Sequence, residues 1–109
     1  MTYFIVNATI TWGNHMDPRI ARVLLICKLF EHTADSLDWV MGFQALAMSW
    51  GFNDDEITAA VRYLEGKGYV ETRGDNNTDD PVGPLRLTQR GTEYVLGIDC
   101  KRVEEFAKH

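Results

Sequence analysis

Six polar side chains between positions 58 and 77 have the chemistry needed to contact base edges or a protein partner. They are Thr58, Arg62, Tyr63, Arg73, Asn76 and Asn77. Arginine and asparagine can each make two hydrogen bonds to a base edge in the major groove. At the helical rotation of about 100° per residue, Thr58 and Arg62 lie one turn apart on one exposed strip. The six positions are therefore candidates for contacts to DNA or to a protein partner, and residue types alone do not choose between the two.

A set of acidic side chains occupies the same stretch and favours a different partner. Its members are Asp54, Asp55, Glu56, Asp75, Asp79 and Asp80. Residues 51–80 contain eight acids and three bases, which accounts for the whole net charge of −5. Because a DNA-binding surface must neutralise phosphates, this excess favours the alternative of an acidic surface that binds a basic protein. Helix-end and turn chemistry also explain such acids without any function.

Arg62 has two interpretations. It could contact DNA, or it could pair with Glu65, Asp55 or Glu56 as an exposed ion pair of small energetic value. A further positive surface could come from another part of the chain. Its members would be Arg86, Arg90, Lys101 and Arg102.

Catalytic and metal-binding patterns do not emerge from the sequence. His15 lies near Asp17 and His32 near Asp35, while His109 is terminal, and such histidines more often cap helices or face solvent. We therefore expect a protein that is not an enzyme, with no cofactor and no metal. One aromatic and methionine set could line a ligand pocket, although core packing and dimer contact are the favoured interpretations. It comprises Trp39, Phe43, Met48, Trp50 and Phe52.

The elements that position these residues follow from capping and periodicity. Asn53 and Glu56 have the spacing of a capping box, and an apolar stripe predicts a helix over residues 54–67 that Gly68 ends. Strands are predicted over residues 69–73 and 85–88, joined by a polar loop over residues 74–83. A helix over residues 89–96 follows, with Thr88 as its cap and Gly97 as its end.

Upstream, the pair Asp17-Pro18 begins a helix whose run from Ile20 to Phe30 is apolar around most of its circumference. This helix is either central to the domain or part of a subunit interface. A second helix is predicted from Ser36 or Asp38 to Trp50.

The two chain ends complete the prediction. Residues 3–12 favour a strand that pairs with the hairpin or with another subunit. The tail over residues 99–109 predicts a surface helix docked through Val103 and Phe106.

This order of elements resembles a winged helix-turn-helix domain over roughly residues 19–97. The segments YLEGKGYV at 63–70 and LRLTQRG at 85–91 carry the resemblance. They are similar to turns in regulators of the multiple-antibiotic-resistance and arsenic-repressor types, and to small winged-helix proteins of Mu-like phages. The resemblance implies an α+β, mainly α fold and a dimeric transcriptional regulator that binds double-stranded DNA. The alternative is a phage-encoded inhibitor, anti-CRISPR-like or DNA-mimicking.

Composition predicts one domain over residues 1–109. It comprises an arm at 1–15, a winged-helix core at 17–97 and a tail at 98–109, and 45% of its residues are hydrophobic. No apolar segment is long enough to span a bilayer, and we expect a cytoplasmic protein with Cys27 and Cys100 as free thiols. The apolar first helix and the N-terminal strand predict a homodimer.

Overall fold

The computed structural model describes residues 16–34, 36–73 and 82–107, which form five helices and a two-stranded antiparallel sheet. Helix α1, Pro18–Thr33, begins where the Asp17 carboxylate accepts a hydrogen bond from the backbone N–H of Arg19 at 2.8 Å. Proline is favoured at this first helical position because its missing N–H would have no helical partner. The helix ends at Ala34, which adopts a left-handed conformation with φ of 52°.

Helix α1 is the central helix of the fold. Its buried side chains are Ala21, Leu24, Leu25, Ile26, Cys27 and Leu29. Three later helices pack against it. Most of the apolar circumference is therefore covered within one chain and α1 is central to the domain, while Ile20, Val23 and Phe30 stay half-buried.

The second helix starts later than predicted. Helix α2 spans Phe43–Ser49, and Gly42 precedes it with a positive φ of 62°. The backbone of Val40 instead pairs with Leu85, with N–O distances of 2.7 Å and 3.1 Å in the two directions. The prediction of a helix from Ser36 or Asp38 was wrong because this pairing holds residue 40 in an extended conformation.

Helix α3, Asp54–Gly66, matches the prediction to within one residue. Asn53 accepts from the N–H of Glu56 at 2.8 Å, and Glu56 accepts from the N–H of Asn53 at 2.9 Å, so the capping box is formed. Gly68 ends the turn with a positive φ of 79°, a conformation that glycine adopts without steric cost.

The hairpin consists of β1, Val70–Thr72, and β2, Leu85–Leu87, with Val70 paired to Leu87 and Thr72 to Leu85. Val70, Leu85 and Leu87 are buried and complete the core beside α1 and α3. The loop prediction lies largely outside the described residues, as do the predicted N-terminal strand at 3–12 and the end of the tail.

Helix α4, Gln89–Leu96, begins at Thr88 as predicted and has Gly97 as its C-cap. The Thr88 hydroxyl accepts from the N–H of Gly91 at 2.9 Å and donates to the Gly68 carbonyl at 2.6 Å. A Cβ atom on Gly91 would overlap the backbone of Tyr69. The two segments that carry the winged-helix resemblance are thus in direct contact, and Gly91 permits their close approach.

Helix α5, Cys100–Ala107, confirms the helical tail but corrects how it docks. Val103 is half-buried against the core, whereas Phe106 is 65% exposed and does not dock. An ion pair between Lys28 and Glu104, at 2.6 Å, adds to the contact with α1.

The prediction of free thiols was also wrong, because Cys27 and Cys100 form a disulfide between α1 and α5. Their Cα atoms are 5.8 Å apart although 73 positions separate them in sequence, so only the tertiary structure shows the pairing. In the chain-entropy model a loop of this length corresponds to about 4 kcal/mol of stabilisation.

The arrangement as a whole is α+β, mainly helical, and is compatible with a winged-helix layout. Among the residues that the structure describes, no helix has the length and apolar character needed to cross a membrane.

Candidate functional site

The outer face of α3 is the candidate site. The inner face is fixed by four buried side chains at helical spacing, namely Ile57, Ala60, Val61 and Leu64. The outer face consists of the exposed residues Asp54, Asp55, Ala59, Arg62, Glu65 and Gly66. Thr58 is half-buried beside them. The predicted strip through Thr58 and Arg62 is therefore present, with Arg62 as its more accessible member.

Arg62 makes no ion pair or side-chain hydrogen bond with any residue of the described ranges 16–34, 36–73 and 82–107. Two of the three predicted partners, Glu65 and Glu56, make other contacts. The Glu65 carboxylate accepts from the Thr72 hydroxyl at 2.7 Å, and Glu56 completes the capping box. Within this part of the chain, the Arg62 guanidinium is free to bind an external anion or base edge.

Tyr63, predicted for the outward side of α3, is half-buried beside α1. Its ring is half-buried, and the Arg22 guanidinium of α1 lies 3.6 Å from the ring centroid. The Lys67 ammonium lies 5.6 Å from the same centroid. Around the axis of α3, Tyr63 lies between the exposed Arg62 and the buried Leu64. It therefore belongs to the contact between α3 and α1. Its role in this structure is to join α1 to α3.

The acidic first turn of α3 has structural partners at two of its three positions. Asp54 accepts a hydrogen bond of 2.6 Å from the buried Gln44 amide, which links α2 to α3. Glu56 closes the capping box, while Asp55 is exposed. Capping and the Gln44 contact thus account for Asp54 and Glu56 without an acidic partner-binding role.

Gln44 is a contact residue that the sequence pattern did not single out. It is the buried polar side chain in the described core, and its Oε1 atom has no hydrogen-bond partner among the described residues. A single amide within the apolar run of α2 was the available signal, because a buried polar group requires a partner.

The hairpin presents a second basic region. Trp39 is flanked by Arg73 and Arg86, whose guanidinium carbons lie 5.4 Å and 4.6 Å from ring centroids of that side chain. Arg86 also pairs with Glu71 at 2.7 Å. Arg73 is exposed at the end of β1, so its predicted availability is consistent with the structure.

The remaining predicted loop residues lie outside the described part of the chain. They are Asn76 and Asn77 of the binding set and Asp75, Asp79 and Asp80 of the acidic set. Both interpretations of this loop therefore stay predictions.

The additional basic residues lie on three elements. Arg86 belongs to β2, Arg90 to α4, and Lys101 and Arg102 to α5. Arg86 is paired with Glu71, and Arg90 lies 5.8 Å from the Tyr69 ring centroid. These contacts favour structural roles for Arg86 and Arg90 over one common phosphate-binding surface.

The predicted aromatic set divides between core and surface. Phe43 and Phe52 are buried in the core, and Trp50 contacts Phe43 edge to face with ring centroids 5.8 Å apart. Met48 is 47% exposed. Core packing is confirmed for Phe43 and Phe52, which therefore do not supply an open ligand pocket.

The described residues contain no candidate metal site. Across ranges 16–34, 36–73 and 82–107, no group of three histidine, cysteine or acidic side chains is placed to hold an ion. His32 instead lies beside Trp50, with ring centroids 6.0 Å apart. His15 and His109 are outside these ranges.

A cleft separates the start of α1 from the start of α3. It has a volume of about 280 Å³, and Arg22, Asp55 and Glu56 contribute its charged groups. The cleft places the side of α3 that carries Asp55 next to α1, while Arg62 lies further along the helix.

Comparison with known proteins returns no matching family model, no similar curated protein and no similar solved structure.

Proposed function

We propose that this protein is a winged-helix transcriptional regulator that binds double-stranded DNA through the outer face of α3. The observation that carries the proposal is Arg62, which is exposed in the middle of α3 and has no ion-pair partner among the described residues. The fold resembles one in which an α-helix enters the major groove. Arginine is the side chain best suited to bidentate contact with guanine there.

The neighbours of Arg62 support close approach to a duplex. Ala59 is exposed and small, so it places little bulk between the helix backbone and a groove. Lys67 and Arg73 are exposed beyond the C-terminal end of α3 and can neutralise phosphates. The acids Asp54 and Glu56 are held by intramolecular hydrogen bonds, which reduces their weight as evidence against DNA.

The test is DNA affinity of an Arg62→Ala variant, measured by fluorescence anisotropy over a salt series with duplexes from the gene's own upstream region. We expect a loss of about 1–3 kcal/mol in binding with little change in thermal stability, because the Arg62 side chain is exposed. Arg19→Ala is the matched control, since Arg19 is an exposed arginine on α1 that belongs to neither predicted basic surface. Absence of duplex binding by the unmodified protein at low salt would overturn the proposal.

The second candidate is an acidic module that binds a basic protein, as a phage-encoded inhibitor or DNA mimic would. The observation in its favour is the charge of the outer face of α3, where Asp54, Asp55 and Glu65 accompany Arg62. The excess of acids over bases across residues 51–80 points the same way. Such a surface attracts a cationic partner electrostatically, and added salt shortens the range of that attraction.

The two candidates predict opposite responses to charge reversal. Replacing Asp79 and Asp80 by lysine should abolish binding to a purified basic partner under the second candidate, while Arg62→Ala leaves that binding unchanged or slightly stronger. Under the first candidate the same double reversal should strengthen binding to duplex DNA, because two repulsive charges become attractive.

A homodimer and a cytoplasmic location belong to the same proposal. Because most of α1 is covered within the chain, we assign the dimer contact to other surfaces, such as residues 1–12 or the exposed Leu96 and Phe106. Light scattering at micromolar concentration tests this part, and a monomer with undiminished DNA affinity would remove the dimer from the proposal. Deleting residues 1–12 should weaken association while the described core stays folded.

A further inference from the structure

Helix α5 is attached to the protein mainly through α1, among the elements that the structure describes. Across Cys100–Ala107 no residue is buried, and the side chains that face α1 are only half-buried. They are Cys100, Val103, Glu104 and Ala107, at the spacing of one helix face. The apolar contact that holds this helix is therefore small.

Besides this small apolar contact, few interactions among the described residues attach α5 to α1. The Lys28–Glu104 ion pair at 2.6 Å joins the two helices, with side chains that are 15% and 24% exposed. An isolated helix of eight residues is marginal in water because nucleation is costly. The Cys27–Cys100 disulfide thus provides the covalent part of the attachment, at the first residue of α5.

The two cysteine residues of the disulfide differ in their exposure. Cys27 lies in the core at 2% exposure, whereas Cys100 is half-buried at the edge of α5. Cys100 is therefore the more exposed of the two residues and the one that we assign to attack by a thiolate from solution. Thiol-disulfide exchange proceeds by such an attack through a mixed disulfide.

We propose that the Cys27–Cys100 disulfide is a redox-controlled latch, whose reduction by a dithiol releases α5 from α1 while the rest of the described fold persists. The buried core residues come from α1 to α4, the hairpin and the segments joining them, and none comes from α5. Loss of α5 consequently leaves the packing between α1, α3 and the hairpin in place. This inference does not depend on the proposed function.

The reduction balances with a dithiol as the reductant. One of its thiolates attacks the Cys100 sulfur, the disulfide bond breaks, and Cys27 leaves as a thiolate that takes up a proton. The second thiol of the reductant then attacks the mixed disulfide and frees Cys100 as a thiol. The protein gains two electrons and two protons, and the dithiol becomes an intramolecular disulfide.

Release of α5 also changes the surface of the protein. An apolar groove of about 630 Å³ lies between α1 and α5, with Ile20 and Val23 on one side and Val103 and Phe106 on the other. When α5 leaves, this groove loses one wall, and the side of α1 around Cys27 becomes accessible.

Limited proteolysis of the full chain tests the latch. Trypsin cleaves after Lys101 and Arg102, which are exposed in α5 but protected while the helix is docked. Reduction with dithiothreitol should increase cleavage at these two bonds by about tenfold or more, as expected for local unfolding. The internal control is the bond after Arg62 in α3, whose cleavage rate should not change.

A Cys100→Ala variant provides the second control, since it removes the latch without altering a core residue. Its cleavage after Lys101 and Arg102 should match that of the reduced protein and should not respond to dithiothreitol. Intact mass should show the unmodified protein gaining two hydrogens on reduction.

Four results would each overturn the latch. They are no mass difference between oxidised and reduced protein, reduction that requires denaturant, unchanged cleavage in α5, and an equal increase after Arg62 that indicates global unfolding.

Discussion

Helices α3 and α5 pack against the same central helix but are held there by different means. α3 buries four apolar side chains and closes its first turn with a capping box. α5 buries none, and a disulfide with one close ion pair joins it to α1. Both helices therefore have fixed positions in this structure, but only α3 is held by burial.

The difference separates permanent from conditional structure. Burial of apolar area contributes about 25 cal/mol per Å² whatever the redox conditions, so the position of α3 does not depend on them. That fixed inner face leaves the outer face of α3 free to carry Arg62 toward a partner. The position of α5 depends on a bond that a reductant can break and on an ion pair that salt and acid weaken.

The largest expected effect comes from truncating one apolar side chain in each helix. Leu64→Ala removes a side chain with 0% exposure and should cost about 2–5 kcal/mol of unfolding free energy. Val103→Ala removes a half-buried side chain and should cost less than about 1 kcal/mol. Urea denaturation of the oxidised proteins measures both values, and similar costs would show that α5 is held by burial as well.

Glycine positions give the next largest effect and test how the end of α3 joins the hairpin and α4. Gly91→Ala should cost about 1–3 kcal/mol, because the new methyl group would overlap the Tyr69 backbone. Gly66→Ala is the matched control. A Cβ there meets no atom within 4 Å, and the substitution should stabilise α3 by about 0.5–1 kcal/mol. A neutral Gly91→Ala variant would show that the two segments can separate without loss.

The ion pair of α5 should contribute less. Glu104→Gln leaves the Lys28 ammonium, which is 15% exposed, without its close carboxylate partner. We expect a cost of about 1 kcal/mol, between the values for exposed and fully buried pairs. Glu105→Gln on the exposed side of the helix is the control and should leave thermal stability unchanged. If the two variants have the same melting temperature, the ion pair does not hold α5.

The smallest expected effect concerns pH at the start of α1. The side-chain hydrogen bond from Arg19, followed by the bond from its backbone N–H, lowers the pKa of Asp17 below the ordinary value of 3.8. Because the folded pKa is below the unfolded one, this stabilisation is present above pH 3.8 and is lost as the pH falls through the folded value. Arg19→Ala should return the Asp17 titration, followed by NMR, toward 3.8, and an unchanged midpoint would contradict this cause.

Local sequence chemistry correctly predicted the region around α3. The capping pair Asn53 and Glu56, the apolar stripe and Gly68 act within a few residues of one another, so their effects are readable in order along the chain. Thr88 and Gly97 predicted α4 for the same reason. The exposure of Arg62 also followed from helical periodicity alone.

The predictions that were wrong involve partners distant in sequence. The start of α2 depends on backbone pairing between Val40 and Leu85, which are 45 residues apart by number. Tyr63 is half-buried beside α1, where the Arg22 guanidinium contacts its ring. Phe106 lies beside Val103 at the edge of the groove next to α1 and is 65% exposed, which depends on how α5 packs there.

The sequence by itself determined the succession of helices and strands, the caps of α1, α3 and α4, and the net charge of −5. These properties depend on residues within about one helical turn or on composition. The tertiary structure decided which charges are paired, that Arg62 has no described partner, and that Cys27 meets Cys100. Such contacts depend on how the elements pack around α1, and packing brings together atoms that no local pattern connects.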